Sequence, residues 1–163
     1  AARKVVLKSK HEISVVAELF LILAARAALV AQVIRPALEA GQVVLADRFG
    51  LSTLAYQLAG RGLPRAEVEA ALSLVTGGLV PDLTLALDVP VEVGRARQRN
   101  VGKTQDRFER ADDAFHERVR EAYRTAAGPG IVHIDASRSK QAVQDAVWRE
   151  AQAVTALSLR GVT

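Results

Sequence analysis

Residues 43–60 read VVLADRFGLSTLAYQLAG, and this stretch decides how the rest of the chain is read. Val43-Val44-Leu45-Ala46 is a short unbroken apolar run, the pattern of a strand buried on both faces of a parallel sheet. Asp47-Arg48 follows where such a strand would release the chain to solvent, and residues 51–60 then read as a helix. A second run, Leu83 to Asp88, is bounded by Pro81 and Pro90, and a third spans Ile131 to Ile134. Helices are expected around them. The first covers 12–40, kinked at Pro36 and ended near Gly41; another covers 65–76, opening after Pro64 and closed by Gly77-Gly78; the others are 91–99, 112–127 and 139–157. Strands alternating with helices predict an α/β protein built on a parallel sheet. Residues 100–111, NVGKTQDRFERA, read as a polar loop. No repeat, low-complexity tract or linker breaks the pattern, so 1–163 is expected to be a single domain.

Composition narrows the function classes. The chain has 163 residues, of which 50% are apolar and 25% charged, the balance of a soluble globular protein. A net charge of +4 suits an anionic ligand such as a nucleotide as well as an ordinary basic surface. No Lys/Arg run clusters into a nucleic-acid-binding face. The chain has no cysteine, which excludes disulfides, thiolate metal sites and cysteine nucleophiles, and is compatible with a reducing cytosol. The most apolar stretch, Ile13 to Ile34, is interrupted by Glu18, Arg26 and Gln32. A membrane span needs about 20 apolar residues, so a buried helix is expected, with no membrane partner and a cytoplasmic location. No signal peptide is visible. The chain has no methionine, and a start inside a longer gene product is expected.

In open α/β sheets, ligands bind beyond the carboxyl ends of the strands. That rule selects Asp47-Arg48, Asp88 and Asp135. An Asp at a strand end can hold Mg²⁺ directly or through water, and an adjacent Arg can grip a phosphate with its fork of donors; the pair could equally be a salt bridge closing the strand. Arg26 lies inside an otherwise apolar helix and needs an anionic partner, either a carboxylate such as Glu18 or a ligand phosphate. Arg95, Arg97, Arg99, Lys103, Arg107 and Arg110 surround the polar loop. Such charge runs are usually solvated faces, but cations closing over a transferring phosphoryl group would also be placed this way. Ser52 with Tyr56, and Thr53 with Gln57, are spaced to share helix faces. His11, His116 and His133 lack metal-ligand spacing. No G-x-x-x-x-G-K-[S/T] loop occurs, and VGKT at 101–104 sits between helices rather than after a strand.

These pieces coincide with a family. DRFGLSTLAYQLAGRGLP at 47–64 resembles the thymidylate kinase signature, D-R-[YFH]-x-x-S-x-x-A-Y-Q followed by G-R-G. PDLTLALDVPVEVGRAR at 81–97 is similar to that family's P-D-L-T-x-x-L-D-V-x-P-E-x-G-x-x-R, and DRFE at 106–109 resembles its lid motif. FHERVREAY at 115–123, HIDAS at 133–137 and the segment AELFLILAARAALVAQVIRPALEAGQVVLADRF match in order. The resemblance, to the bacterial type, implies a three-layer nucleoside monophosphate kinase fold and the reaction of ATP with dTMP to give dTDP and ADP, with Mg²⁺. It implies that Arg26 contacts the 5′-phosphate of dTMP, that Arg48 clamps the acceptor phosphate, and that Asp47 acts near the metal and the moving phosphoryl group. Ser52, Thr53, Tyr56 and Gln57 would lie around the thymidine. Arg107, with Arg95, Arg97 or Arg99, would belong to a lid at 95–111 that closes on ATP. A homodimer through helix 12–40 is expected.

Two departures stand out. The family places an aromatic residue four positions before the Arg26 position, and here that residue is Ile22; Phe20 lies about 200° round the helix and cannot replace it. The family's first strand, phosphate loop and Arg-Glu-Pro strand have no counterpart in these residues, and in the family that first strand lies between those matching 43–47 and 83–88. Inactivity of the 163 residues alone is therefore expected. A non-catalytic nucleotide-binding or assembly fragment is the alternative from another class, and a related deoxynucleoside kinase the alternative among enzymes.

Overall fold

The computed structural model describes residues 12–99, 108 and 110–160. They fall into two compact units, one drawn from Ala1–Val80 and Thr104–Val119, the other from Pro81–Lys103 and Arg120–Thr163.

The first unit begins with helix α1, Val15–Leu29, whose first turn is capped by the Ser14 hydroxyl accepting from the Ala17 N–H at 3.3 Å. A π-helical turn, Val30–Ile34, carries it into α2, Arg35–Glu39. The wider turn explains how the helix passes Pro36. A proline has no N–H to donate and presses on the carbonyl four residues back. Here the Arg35 N–H reaches the Val30 carbonyl, five residues back, so the ladder widens just before the ring. Gly41, at φ 70°, lies just beyond the helix end.

The expected strand at 43–46 does not form. Val43 and Leu45 are 83% and 97% exposed, and the segment is irregular. A strand buried on both faces needs neighbours in its ladder and layers above and below; among the described residues no strand runs beside this one. The chain re-enters a helix at α3, Gly50–Thr53, which widens into a second π-helical segment, Leu54–Gly60. Helix α4, Arg65–Thr76, follows Pro64 and ends at Gly77 in the left-handed conformation, as the sequence predicts. The Arg35 guanidinium donates to the carbonyls of Thr76 and Gly77 at 3.0 and 3.1 Å, a cation at the negative end of α4.

Leu19 and Leu23 of α1 meet Val68 of α4, with Leu54, Leu58, Leu63, Ala71, Leu72 and Val75 around them. Glu18, fully buried, lies one residue from this core. Its carboxylate accepts from Arg61 Nε at 3.1 Å and Nη2 at 3.0 Å, and from the Gln57 amide at 3.3 Å. By length and composition alone Val15–Glu39 could cross a membrane. The expected buried helix is only partly buried, however. Leu19, Leu23, Val30 and Ile34 are buried, while Val15, Val16, Phe20, Leu29, Val33 and Leu38 are exposed, so the described residues cover only part of the helix.

In the second unit, strands β1, Thr84–Asp88, and β2, Ile131–Asp135, pair in parallel, with Asp88 opposite Asp135 at their carboxyl ends. The sheet among the described residues therefore has two strands where the sequence suggests three. Helices α5, Val91–Arg99, and α7, Lys140–Arg160, belong to this unit, while α6, Asp113–Arg124, gives its residues through Val119 to the first unit and the rest to the second. Gly130 leads the chain into β2: at φ 72°, a Cβ there would lie 2.3 Å from the Asp82 carbonyl oxygen.

Removing one member of a buried ion pair strands the other's charge, at a cost of about 3–5 kcal/mol. Glu18→Ala should lose that much in urea-induced unfolding with an unchanged m-value. A loss below about 1 kcal/mol would show that Glu18–Arg61 does not hold the unit together.

Candidate functional site

The residues singled out around Asp47-Arg48 do converge. Asp47 and Arg48 turn the chain in an exposed bend between the irregular 42–46 segment and α3. Arg48 has φ 71°, and it is the one non-glycine residue at positive φ among the described residues. Holding a residue with a Cβ there costs about 1–3 kcal/mol, and such strain collects at functional sites. Its guanidinium carbon lies 5.1 Å from the Tyr56 ring centroid, within cation–π range.

Arg26 approaches the same place from α1. It donates from Nη2 to the Thr53 hydroxyl at 3.2 Å and lies 5.0 Å from the centroid of Phe49. Thr53 is buried in α3, so its hydroxyl is a fixed anchor. Two guanidinium groups thus sit over adjacent turns of one segment, each against an aromatic ring. Concentrated positive charge beside a buried hydroxyl and two π-faces is chemically suited to a phosphate joined to a flat base. Glu18 is engaged by Arg61 and Gln57, and Arg26 donates to the neutral Thr53 hydroxyl.

The i, i+4 pairing of Thr53 and Gln57 is seen: both are buried and both face α1. They do different things there. Thr53 holds Arg26, whereas Gln57, 2% exposed, spends its amide on Glu18 beneath the cluster. Ser52 is half-buried and Tyr56 meets Phe108 and Phe115 edge-on, with centroids at 5.4 and 6.0 Å. In the second unit Arg97 donates to the Ala136 carbonyl at 2.9 Å. Asp88 receives both Nε and Nη2 of Arg120, at 3.0 and 3.2 Å, so that strand-end carboxylate serves an ion pair. Asp135 accepts from the Ser137 hydroxyl and N–H, which hold its carboxyl below the usual carboxylate range. Arg107 and Lys103 lie outside the described residues, as do the side chains of Arg95 and Arg99 and most of the 95–111 lid.

Residue-by-residue reading misses Arg61, Phe49, Phe108 and Phe115. Arg61 is the arginine of the G-R-G stretch and Phe49 follows Asp47-Arg48, so both stand inside quoted motifs. Their partners, though, come from distant parts of the chain. Among the described residues no group of three or more His, Asp or Glu side chains could hold a metal.

A family model described as Thymidylate kinase matches residues 1–147. A thymidylate kinase from Pseudomonas fluorescens is 52% identical over 133 residues, 80% of this chain and 63% of its own length. One from Thermomicrobium roseum is 48% identical over 134 residues, 80% of this chain and 64% of its own. One from Desulfovibrio desulfuricans is 56% identical over 117 residues, 68% of this chain and 54% of its own. The chain thus spans between 54% and 64% of the length of these curated relatives.

The strain at Arg48 has a testable consequence independent of any ligand. Arg48→Gly should melt no lower than the parent, because glycine adopts this φ without a Cβ clash. Arg48→Val, with a branched Cβ, should lose about 1–3 kcal/mol. Equal melting temperatures for the two variants would show that the backbone there is relaxed.

Proposed function

The chain belongs to the thymidylate kinase family, and on that premise we propose that it forms the acceptor-binding part of an enzyme that moves the γ-phosphoryl group of ATP onto dTMP, giving dTDP and ADP. The observation that carries this reading is the convergence of Arg26 and Arg48 on one helix, with Thr53 and Tyr56 beside them.

Phosphoryl transfer asks little covalent chemistry of the protein and much positioning of charge. Arg48 takes the acceptor phosphate in its fork and aims one phosphate oxygen in line with the γ-phosphorus of ATP. Arg26, held by Thr53, contacts the same 5′-phosphate from α1, and Tyr56, with Ser52 near it, borders the nucleoside. Negative charge spreading over the equatorial oxygens of the moving group is stabilised by fixed cations that need no reorganisation. On the family resemblance, further charge for the donor phosphates would come from Arg107, with Arg95, Arg97 or Arg99, as a closing lid. Asp47, a single exposed carboxylate at the bend, fits a Mg²⁺ ion that keeps most of its ligands as waters and substrate phosphates. Bound there, the ion would neutralise phosphate charge.

The 163 residues contain no phosphate-loop motif to cradle ATP. We therefore assign dTMP binding to these residues. The protein is read as a cytoplasmic homodimer, with the exposed apolar side of Val15–Glu39 packed on its copy. Light scattering at micromolar concentration should give twice the monomer mass. A monomer mass would remove the dimer from this reading.

Lysine keeps the charge of Arg48 but not its planar fork. Losing one hydrogen bond to a charged group costs about 1.5–3 kcal/mol, so Arg48→Lys in the active enzyme should lower kcat/KM for dTMP about ten- to a hundredfold. The KM for ATP should hardly move. A coupled ADP assay with each substrate varied checks both. Near-normal kcat/KM for dTMP in a destabilised variant would reduce Arg48 to a structural residue.

A further inference from the structure

The geometry points to Arg61 as a positioning residue for the acceptor phosphate: it fixes Tyr56 and, through that ring, the guanidinium of Arg48. This rests on the reading above, in which Arg48 meets the phosphate of dTMP.

Arg48 has a long, exposed side chain on a strained bend, and such a side chain has many rotamers to lose before it can grip an anion in one geometry. It lies over the Tyr56 ring at 5.1 Å, so the orientation of that ring limits where the guanidinium can go. Tyr56 is itself placed by two rings. Phe108 meets it at 5.4 Å and 85°, and Phe115 at 6.0 Å and 67°, both edge-to-face. The same two rings receive the guanidinium of Arg61, 4.7 Å from Phe115 and 5.7 Å from Phe108. Arg61 is anchored on its other side by two bonds to the fully buried carboxylate of Glu18, at 3.1 and 3.0 Å.

The backbone makes the link shorter still. Residues 54–60 are π-helical, and the Arg61 N–H donates to the Tyr56 carbonyl, five residues back, at 3.0 Å. In an α-turn that N–H would reach Gln57 instead. The wide turn therefore ties Arg61 to Tyr56 through the main chain as well as through the shared rings. The turn is pinned from α6, where Arg118 donates twice to the Gly60 carbonyl, at 3.3 and 3.0 Å. The wide turn closes the helix that begins at Gly50 and carries the ring on which Arg48 rests. Arg61 need touch no substrate to do this.

A double-mutant cycle on dTMP binding tests the inference. Calorimetric titration with dTMP would be run on the protein, on Arg61→Lys, on Arg48→Lys and on the double variant, all well below their melting temperatures. Arg61→Lys keeps a charge for Glu18 but loses the bidentate, stacking plane. It should weaken dTMP about tenfold alone and less than threefold when Arg48 is already lysine, because the residue it acts through is gone. Equal losses in both backgrounds, or no loss beside a lowered melting temperature, would overturn the positioning role and leave Arg61 purely structural. Should Arg61→Lys not fold, Phe115→Leu removes the nearer ring while keeping the ion pair, and the same cycle separates a positioning role from a structural one. Absence of dTMP binding by the unsubstituted protein would overturn the functional reading and this inference together. Binding with additive losses would overturn this inference alone.

Discussion

A buried carboxylate sets the terms for the first unit. Glu18 is out of contact with water, and a charge in that position is tolerable only with partners aimed at it. Arg61 supplies two bonds and Gln57 a third, so α1, the π-helical end of the signature helix and the chain leading into α4 must meet at one point. Apolar packing of Leu19, Leu23 and Val68 brings the helices together but would tolerate small slides between them. The ion pair admits far fewer arrangements. Once it forms, Thr53 faces Arg26 across the same interface, one helical turn from Gln57, and the two arginines of the candidate site are placed.

How much of this was legible in the sequence varies with how local the cause is. Helix 65–76 was readable to the residue because Pro64 and Gly77 punctuate it in the immediate sequence. Strands 84–88 and 131–135 were readable because each apolar run finds its partner in the other, and their parallel register brings Asp88 beside Asp135 as the strand-end rule expects. The run 43–46 has the same local pattern without the neighbour, and it stays irregular: the pattern states what a segment can bury, not that anything is there to bury it. Both π-helical segments escaped a reading based on α-helical spacing, although Pro36 gave a reason to expect a disturbance before it.

The candidate site was legible as a set of residues and not as an arrangement. Arg26, Arg48, Thr53 and Tyr56 could be named from motif and position, and they do come together. That Gln57 would serve Glu18 was decided by a partner 39 positions away, which no local window contains. Nor does any composition rule announce that an arginine will occupy the left-handed region. Strain of that kind persists because surrounding contacts over-determine it, here the stacking of Arg48 on Tyr56 and of Phe49 against Arg26 on either side of one peptide bond.

The irregular segment before Asp47 has a consequence of another kind. Val43 and Leu45 stand almost fully in water, next to backbone that joins no sheet among the described residues. A β-branched, uncharged stretch in that condition is adhesive: it offers a hydrogen-bonding edge and apolar side chains to any extended chain it meets. Its natural complement is another extended strand, which would satisfy its backbone and cover Val43 and Leu45 in one step.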